Sequence, residues 1–210
     1  MAREQANTQE YVTILSSDGT FRLSVPEGTE GAVTRDWEVG EKSGTKHELV
    51  FQALSGKITN VEFSEQDFGT LLQVEITDEA GPLVISTSAS NNFGIDLMKK
   101  LPSLDLEKEY RLSPYTIEKE NGKTAKGVSI IEGTKYDKEA SKVPNFFWDA
   151  KKESTTEGFP EPKGDTEKYT KNKWKAYFGE VEDFLIDYTK ENTIPKFNTD
   201  DVKPIEDEDF

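Results

Sequence analysis

A single histidine, His47, and no cysteine stand beside 41 carboxylates in this 210-residue chain. That inventory removes most covalent catalysis, because a serine or cysteine nucleophile needs a neighbouring base and no serine here is framed by glycines. Among 41 acids, a nearby pair of carboxylates carries no signal for hydrolysis or magnesium binding. Walker, Rossmann and zinc-ligand spacings are all missing. The residues point away from an enzyme, a cofactor and a metal site. His47 opens a predicted strand and reads as a surface or hydrogen-bonded strand residue.

Binding chemistry is better supplied. Single-stranded nucleic acid is held by aromatic faces on which bases stack and by cations that follow the backbone. Candidate rings are Phe68, Tyr110, Tyr115, Tyr136 and Trp148, the last in a knot with Phe146 and Phe147. They are interleaved with Lys57, Arg111, Lys119, Lys123, Lys126 and Lys135. Strand alternation places Tyr115, Ile117 and Lys119 on one face, so Tyr115 serves equally well in the core. For any one of these rings, core packing is the commoner fate.

The net charge of −15 opposes a nucleic-acid partner, since cations supply most of the affinity for phosphate. The charge is uneven, however. Residues 1–110 carry 9 Lys/Arg against 19 Asp/Glu, whereas residues 111–151 carry 8 against 6 and residues 163–175 carry 5 against 2. Two segments can therefore make a positive surface on an acidic body. The last eleven residues, "DDVKPIEDEDF", hold six acids, one lysine and a terminal ring. Such a segment stays solvated. Phe210 fits a partner's pocket while Asp207, Glu208, Asp209 and the α-carboxylate meet Arg or Lys around it. The same polyanion competes with DNA for a basic groove on its own chain.

The elements that position these residues are mostly short strands. Residues 11–25 form a hairpin about "SSDGT". Residues 26–47 read as a loop rich in glycine and charge, fastened by Val33 and Trp37. Residues 47–63 are a long strand bent at Gly56, and 70–77 and 82–88 complete a meander. A short helix capped by Asn91 or Asn92 and stopped by Pro102 follows, then a hairpin over 109–133. Residues 166–191 form an amphipathic helix whose Tyr177, Val181, Phe184, Leu185 and Tyr188 cover either the barrel or a second copy of the chain, a homodimer in the latter case.

This order predicts a mainly β protein with helices: a five-stranded Greek-key OB-fold barrel with an N-terminal hairpin over residues 1–150. A connector at 151–165, the helix at 166–191 and a disordered acidic tail at 192–210 complete the chain. The strand and helix order over about 56–133 and the terminal "EDEDF" together resemble bacteriophage single-stranded DNA-binding proteins. That resemblance implies sequence-independent coating and melting of single-stranded DNA during replication, recombination and repair. It also implies the cytoplasm of an infected bacterium, and recruitment of a polymerase, helicase or primase by the tail. Two rival readings are an acidic DNA mimic that blocks a nucleic-acid enzyme and a virion structural protein. With no apolar run near 18 residues, the chain is expected to be soluble, with no membrane partner.

Overall fold

Asp18 and Gly19 reverse the chain where the flanking alternation predicts a hairpin. In the computed structural model, which describes residues 9–137 and 140–197, β1 (Glu10–Leu15) pairs antiparallel with β2 (Thr20–Val25). Asp18 Oδ1 accepts from the Thr20 amide at 3.1 Å and the Thr20 hydroxyl at 2.7 Å. This local bonding is what makes aspartate a turn former.

Residues 26–47 are not the predicted loop. They contain β3 (Val33–Val39) and the first part of β4 (Lys42–Phe51), an antiparallel hairpin turning at Gly40–Glu41. The hairpin is an outer extension with Val33 and Val39 exposed, so no alternating apolar face marks it in the sequence. Its anchor is electrostatic. Glu48 is 2% exposed and accepts from Arg35 Nε at 2.9 Å and Nη2 at 2.7 Å, with Arg22 Nη1 at 4.0 Å.

The hydrogen bonds from Arg35 hold the Glu48 carboxyl below the usual carboxylate range against the opposing effect of burial. A depressed folded-state pKa contributes stability above the unfolded carboxylate value, near ~4.3, that is lost as pH falls through the folded value. Glu48→Gln is expected to lower stability at pH 7 by about 2 kcal/mol and to flatten the acid limb of the melting curve. Removing one partner of a fully buried pair costs about 3–5 kcal/mol; Arg35 keeps 32% of its side chain in solvent, which reduces the loss. Thermal melts of both proteins between pH 3 and 7 test this. An identical acid limb in the variant refutes it.

The meander forms as predicted from β5 (Leu54–Gln66), β6 (Gly69–Asp78) and β7 (Gly81–Ser88). The expected 47–63 strand is divided between β4 and β5; the register shifts between Ile58 and Asn60, and Gly56 has φ +157° with its backbone closing on Thr77 O. Helix α1 (Asn92–Lys100) starts where Asn91 Oδ1 accepts from the Gly94 amide at 2.8 Å, and Pro102 sits in the 3₁₀ turn that follows. The hairpin of β8 (Glu109–Glu118) and β9 (Thr124–Glu132) comes next.

The strands make one sheet, in the order β3-β4-β2-β1-β7-β6-β5-β8-β9, curled into a half-barrel. All pairs are antiparallel except β1 with β7. A closed five-stranded barrel has no free edges. Here β7 instead takes β1 as its second neighbour, and the outer side of β9 takes a bridge between Ile131 and Lys142. The β1–β2 turn stands against β8. A Cβ at Gly19, which has φ +65°, would lie 2.6 Å from the Thr116 amide nitrogen, so only glycine fits this approach. The Thr116 hydroxyl donates to Ser16 O at 3.2 Å and Lys126 Nζ donates to Ser16 Oγ at 2.6 Å.

Inside the curl, Val12, Phe21, Leu72, Val74 and Ile85 meet Phe93, Leu97 and Met98 of α1. The predicted C-terminal helix is α2 (Lys171–Tyr188), capped by the Thr170 hydroxyl. Its Val181 and Leu185 are buried against the chain's own core. A π-helical turn (Thr189–Thr193) and a short α3 (Ile194–Phe197) continue it past residue 191. Residues 192–197 are thus helical, correcting the expected start of the disordered tail. The predicted tail contacts of Asp207, Glu208, Asp209 and Phe210 lie outside the described residues. A two-residue hairpin, β10 (Trp148–Asp149) with β11 (Ser154–Thr155), spans the expected start of the connector. Among the described residues no helix is long and apolar enough to cross a membrane.

Candidate nucleic-acid interface

The predicted binding residues are dispersed. Tyr110 is corrected to a core residue: it is 3% exposed, and its hydroxyl accepts from the Asp105 amide at 2.9 Å. Lys57 faces Glu107 at 3.6 Å. It shares the outer face of β5 and β6 with Glu62 and Glu75, and Glu75 accepts from Thr59 at 2.6 Å and Gln9 at 3.0 Å. The outer face of β5 and β6 therefore carries the carboxylates Glu62 and Glu75 beside Lys57. Phe68 is 79% exposed at the β5–β6 turn, but Asp67 precedes it and Glu65 lies nearby. Arg111 is half-buried with Nε unpaired, and Lys126 is engaged with Ser16. Lys119 and Lys123 are exposed on either side of the β8–β9 turn, Lys135 is exposed beside Tyr136, and Trp148 is exposed in the β10–β11 hairpin.

Tyr115 and Tyr136 do come together. They line a groove of about 800 Å³ on the outer side of β8 and β9, with Ile117, Lys100 and Lys142. Tyr115 is the cross-strand partner of Gly127, and a Cβ at that glycine would lie 2.6 Å from the tyrosine hydroxyl and 2.5 Å from Asp96 Oδ2. The missing side chain is what lets the ring cross β9 to reach the helix. Burial raises the Tyr115 pKa and Asp96 raises it further, so the hydroxyl stays protonated. Asp96 accepts from Lys100 Nζ and the Val128 amide, both at 2.7 Å.

A second groove, of about 700 Å³, runs between α1 and α2. Its rings are Trp174, Tyr177 and Phe178, and its cations are Lys99, Lys171 and Lys175. Spacings of three and four put the rings on one side of α2. Trp174 and Phe178 stack at 5.6 Å with 22° between planes, and Phe178 keeps 59% of its surface in solvent. Tyr169 backs the indole at 4.9 Å and carries Lys173 Nζ over its own face at 4.2 Å. Asn92 and Lys171, the first residues of the two helices, both line the groove, where the free amides and dipole of a helix start favour anions.

Burial lowers the Lys99 pKa, with Lys100 acting the same way and Asp96 opposing them. Among the described residues the sole acid lining the groove is Glu182, whose pKa is raised by burial and by Asp183 beside it, the direction that makes its charge easier to discharge. Sequence reasoning missed this groove. Two signals pointed to it: the positive balance of residues 163–175, and rings at 174, 177 and 178 that exceed what a core-facing stripe needs.

Stacked rings and cations are thus gathered in one groove. No known protein family, curated protein or solved structure matches the chain.

Proposed function

We propose that the protein binds single-stranded DNA without sequence preference. The observation that carries this reading is the α1–α2 groove, where Trp174, Tyr177 and Phe178 lie beside Lys99, Lys171 and Lys175 on an otherwise acidic molecule. Every base has a face to stack, so rings without a pattern of base-edge donors bind irrespective of sequence. The order β7-β6-β5-β8-β9 with α1 between β7 and β8 supports an OB-fold relationship, with the N-terminal hairpin inserted at the point of closure. A role in phage replication, recombination and repair, with recruitment of a polymerase, helicase or primase through Asp207, Glu208, Asp209 and Phe210, rests on the resemblance of the terminal sequence.

Fluorescence anisotropy with a labelled oligothymidine at two salt concentrations tests the reading. Three lysines facing phosphate give a slope of about −2 in log K against log salt, a loss of roughly 20-fold between 50 and 200 mM. Deleting residues 200–210 is expected to tighten binding and abolish partner recruitment. The carboxylates Glu62 and Glu75 on the outer face of β5 and β6 favour the DNA-mimic alternative, which predicts no oligothymidine affinity at any salt. That result would overturn the proposal.

A further inference from the structure

The two grooves lie on either side of one helix. Asn92, Ile95 and Lys99 of α1 line the α2 groove, whereas Lys100 lines the β8–β9 groove. Successive residues are about 100° apart around a helix, so Lys99 and Lys100 leave the α1 ridge toward different grooves: Lys99 Nζ lies over the Phe159 ring at 5.6 Å, and Lys100 Nζ donates to Asp96 Oδ2 at 2.7 Å and to Val128 O at 2.6 Å. The ridge does not repel an anion. Its only carboxylate, Asp96, is neutralised by Lys100 and accepts from the Val128 amide. Each groove has its own rings: Trp174 and Phe178 on one side, Tyr115 and Tyr136 on the other, with Tyr136 70% exposed. Among the described residues each also has one acid, Glu182 and Asp137 respectively.

From this arrangement, and resting on the single-strand reading above, we infer that one strand crosses α1 and occupies both grooves. The binding track then follows the helix rather than the β5–β6–β7 sheet face, whose outer surface presents Glu62 and Glu75. A helix with its side chains is about 10 Å across, which about three nucleotides span at a stacked spacing near 3.4 Å. Bases stack on Trp174 and Phe178, the phosphates pass Lys99, and bases beyond the ridge reach Tyr136, with Lys142 beside them.

The test is a length series of labelled oligothymidines, about 4 and about 15 nucleotides long, titrated against the full chain, Trp174→Ala and Tyr136→Ala. The short probe is expected to respond to Trp174→Ala only. The long probe is expected to bind the parent more tightly at one strand per chain, and to lose about fivefold or more with either variant. Tyr136 is largely in solvent, so its variant is expected to melt with the parent, separating lost contact from lost fold. If Tyr136→Ala leaves long-probe affinity unchanged while Trp174→Ala weakens it, the track ends in the α2 groove: the inference fails and the single-strand reading stands. Two short probes bound per chain, with no gain at greater length, make the grooves independent sites and also overturn it. If Trp174→Ala alters neither probe, the single-strand reading itself fails.

Discussion

Trp174→Ala is expected to weaken oligothymidine binding by about 5- to 150-fold at fixed salt, because a base stacked on an aromatic ring contributes about 1–3 kcal/mol. The indole is the centre of its cluster, touching Tyr169 at 4.9 Å, Phe178 at 5.6 Å and Tyr177 at 5.9 Å. Truncation removes one stacking face and leaves the exposed Phe178 ring without the surface that orients it. Folding is expected to survive, since the buried anchors of α2 are Val181 and Leu185. Trp174→Phe, which keeps a ring in place, is expected to restore most of the affinity. An unchanged dissociation constant for the alanine variant, with fold intact, removes the α1–α2 groove as the site.

The largest effect on stability falls just before the connector. Phe147→Ala costs about 3–5 kcal/mol, the range for emptying a buried aromatic site. At about 2–4 °C per kcal/mol for a chain of this size, the melting midpoint drops by roughly 6–20 °C. Phe147 meets Tyr188 at 4.9 Å, Phe159 at 5.3 Å and Phe184 at 5.5 Å, and so joins the connector to the second half of α2. Its neighbours Phe146 and Trp148 are exposed, and their alanine variants are expected to lose about 1 kcal/mol or less. Calorimetry of the three variants separates them. Equal shifts for all three contradict a knot with one buried member.

Much of the architecture was legible in the chain. Alternation and turn residues marked β1–β2, β5–β6–β7 and β8–β9, and Asn91 marked the start of α1, because those elements bury one face and leave local signatures. The β3–β4 hairpin left none, since its stability comes from Arg35 meeting Glu48 across thirteen residues rather than from an apolar stripe. Closure was equally hidden: nothing local to Tyr11 or Val84 says that β1 will run parallel beside β7. The site was half legible. Composition located positive segments and rings, and strand alternation put Tyr110 and Tyr115, five residues apart in β8, on opposite faces, but it could not say which face is the core. Finding the α2 platform required knowing that α1 stands opposite.

The seating of the β1–β2 turn on β8 sets the order in which the chain can mature. Ser16 waits for Thr116 and for Lys126, contacts 100 and 110 residues away in sequence, and β1 has no parallel partner until β7 exists. A lone two-stranded ribbon is marginal in water, so the β1–β2 hairpin stays weakly held until the strands that flank and receive it have been made. Long-range pairing of this kind is slow. Until it completes, the bare side of β7 offers an adhesive strip to other nascent chains, which makes synthesis rate and chaperones the natural determinants of yield.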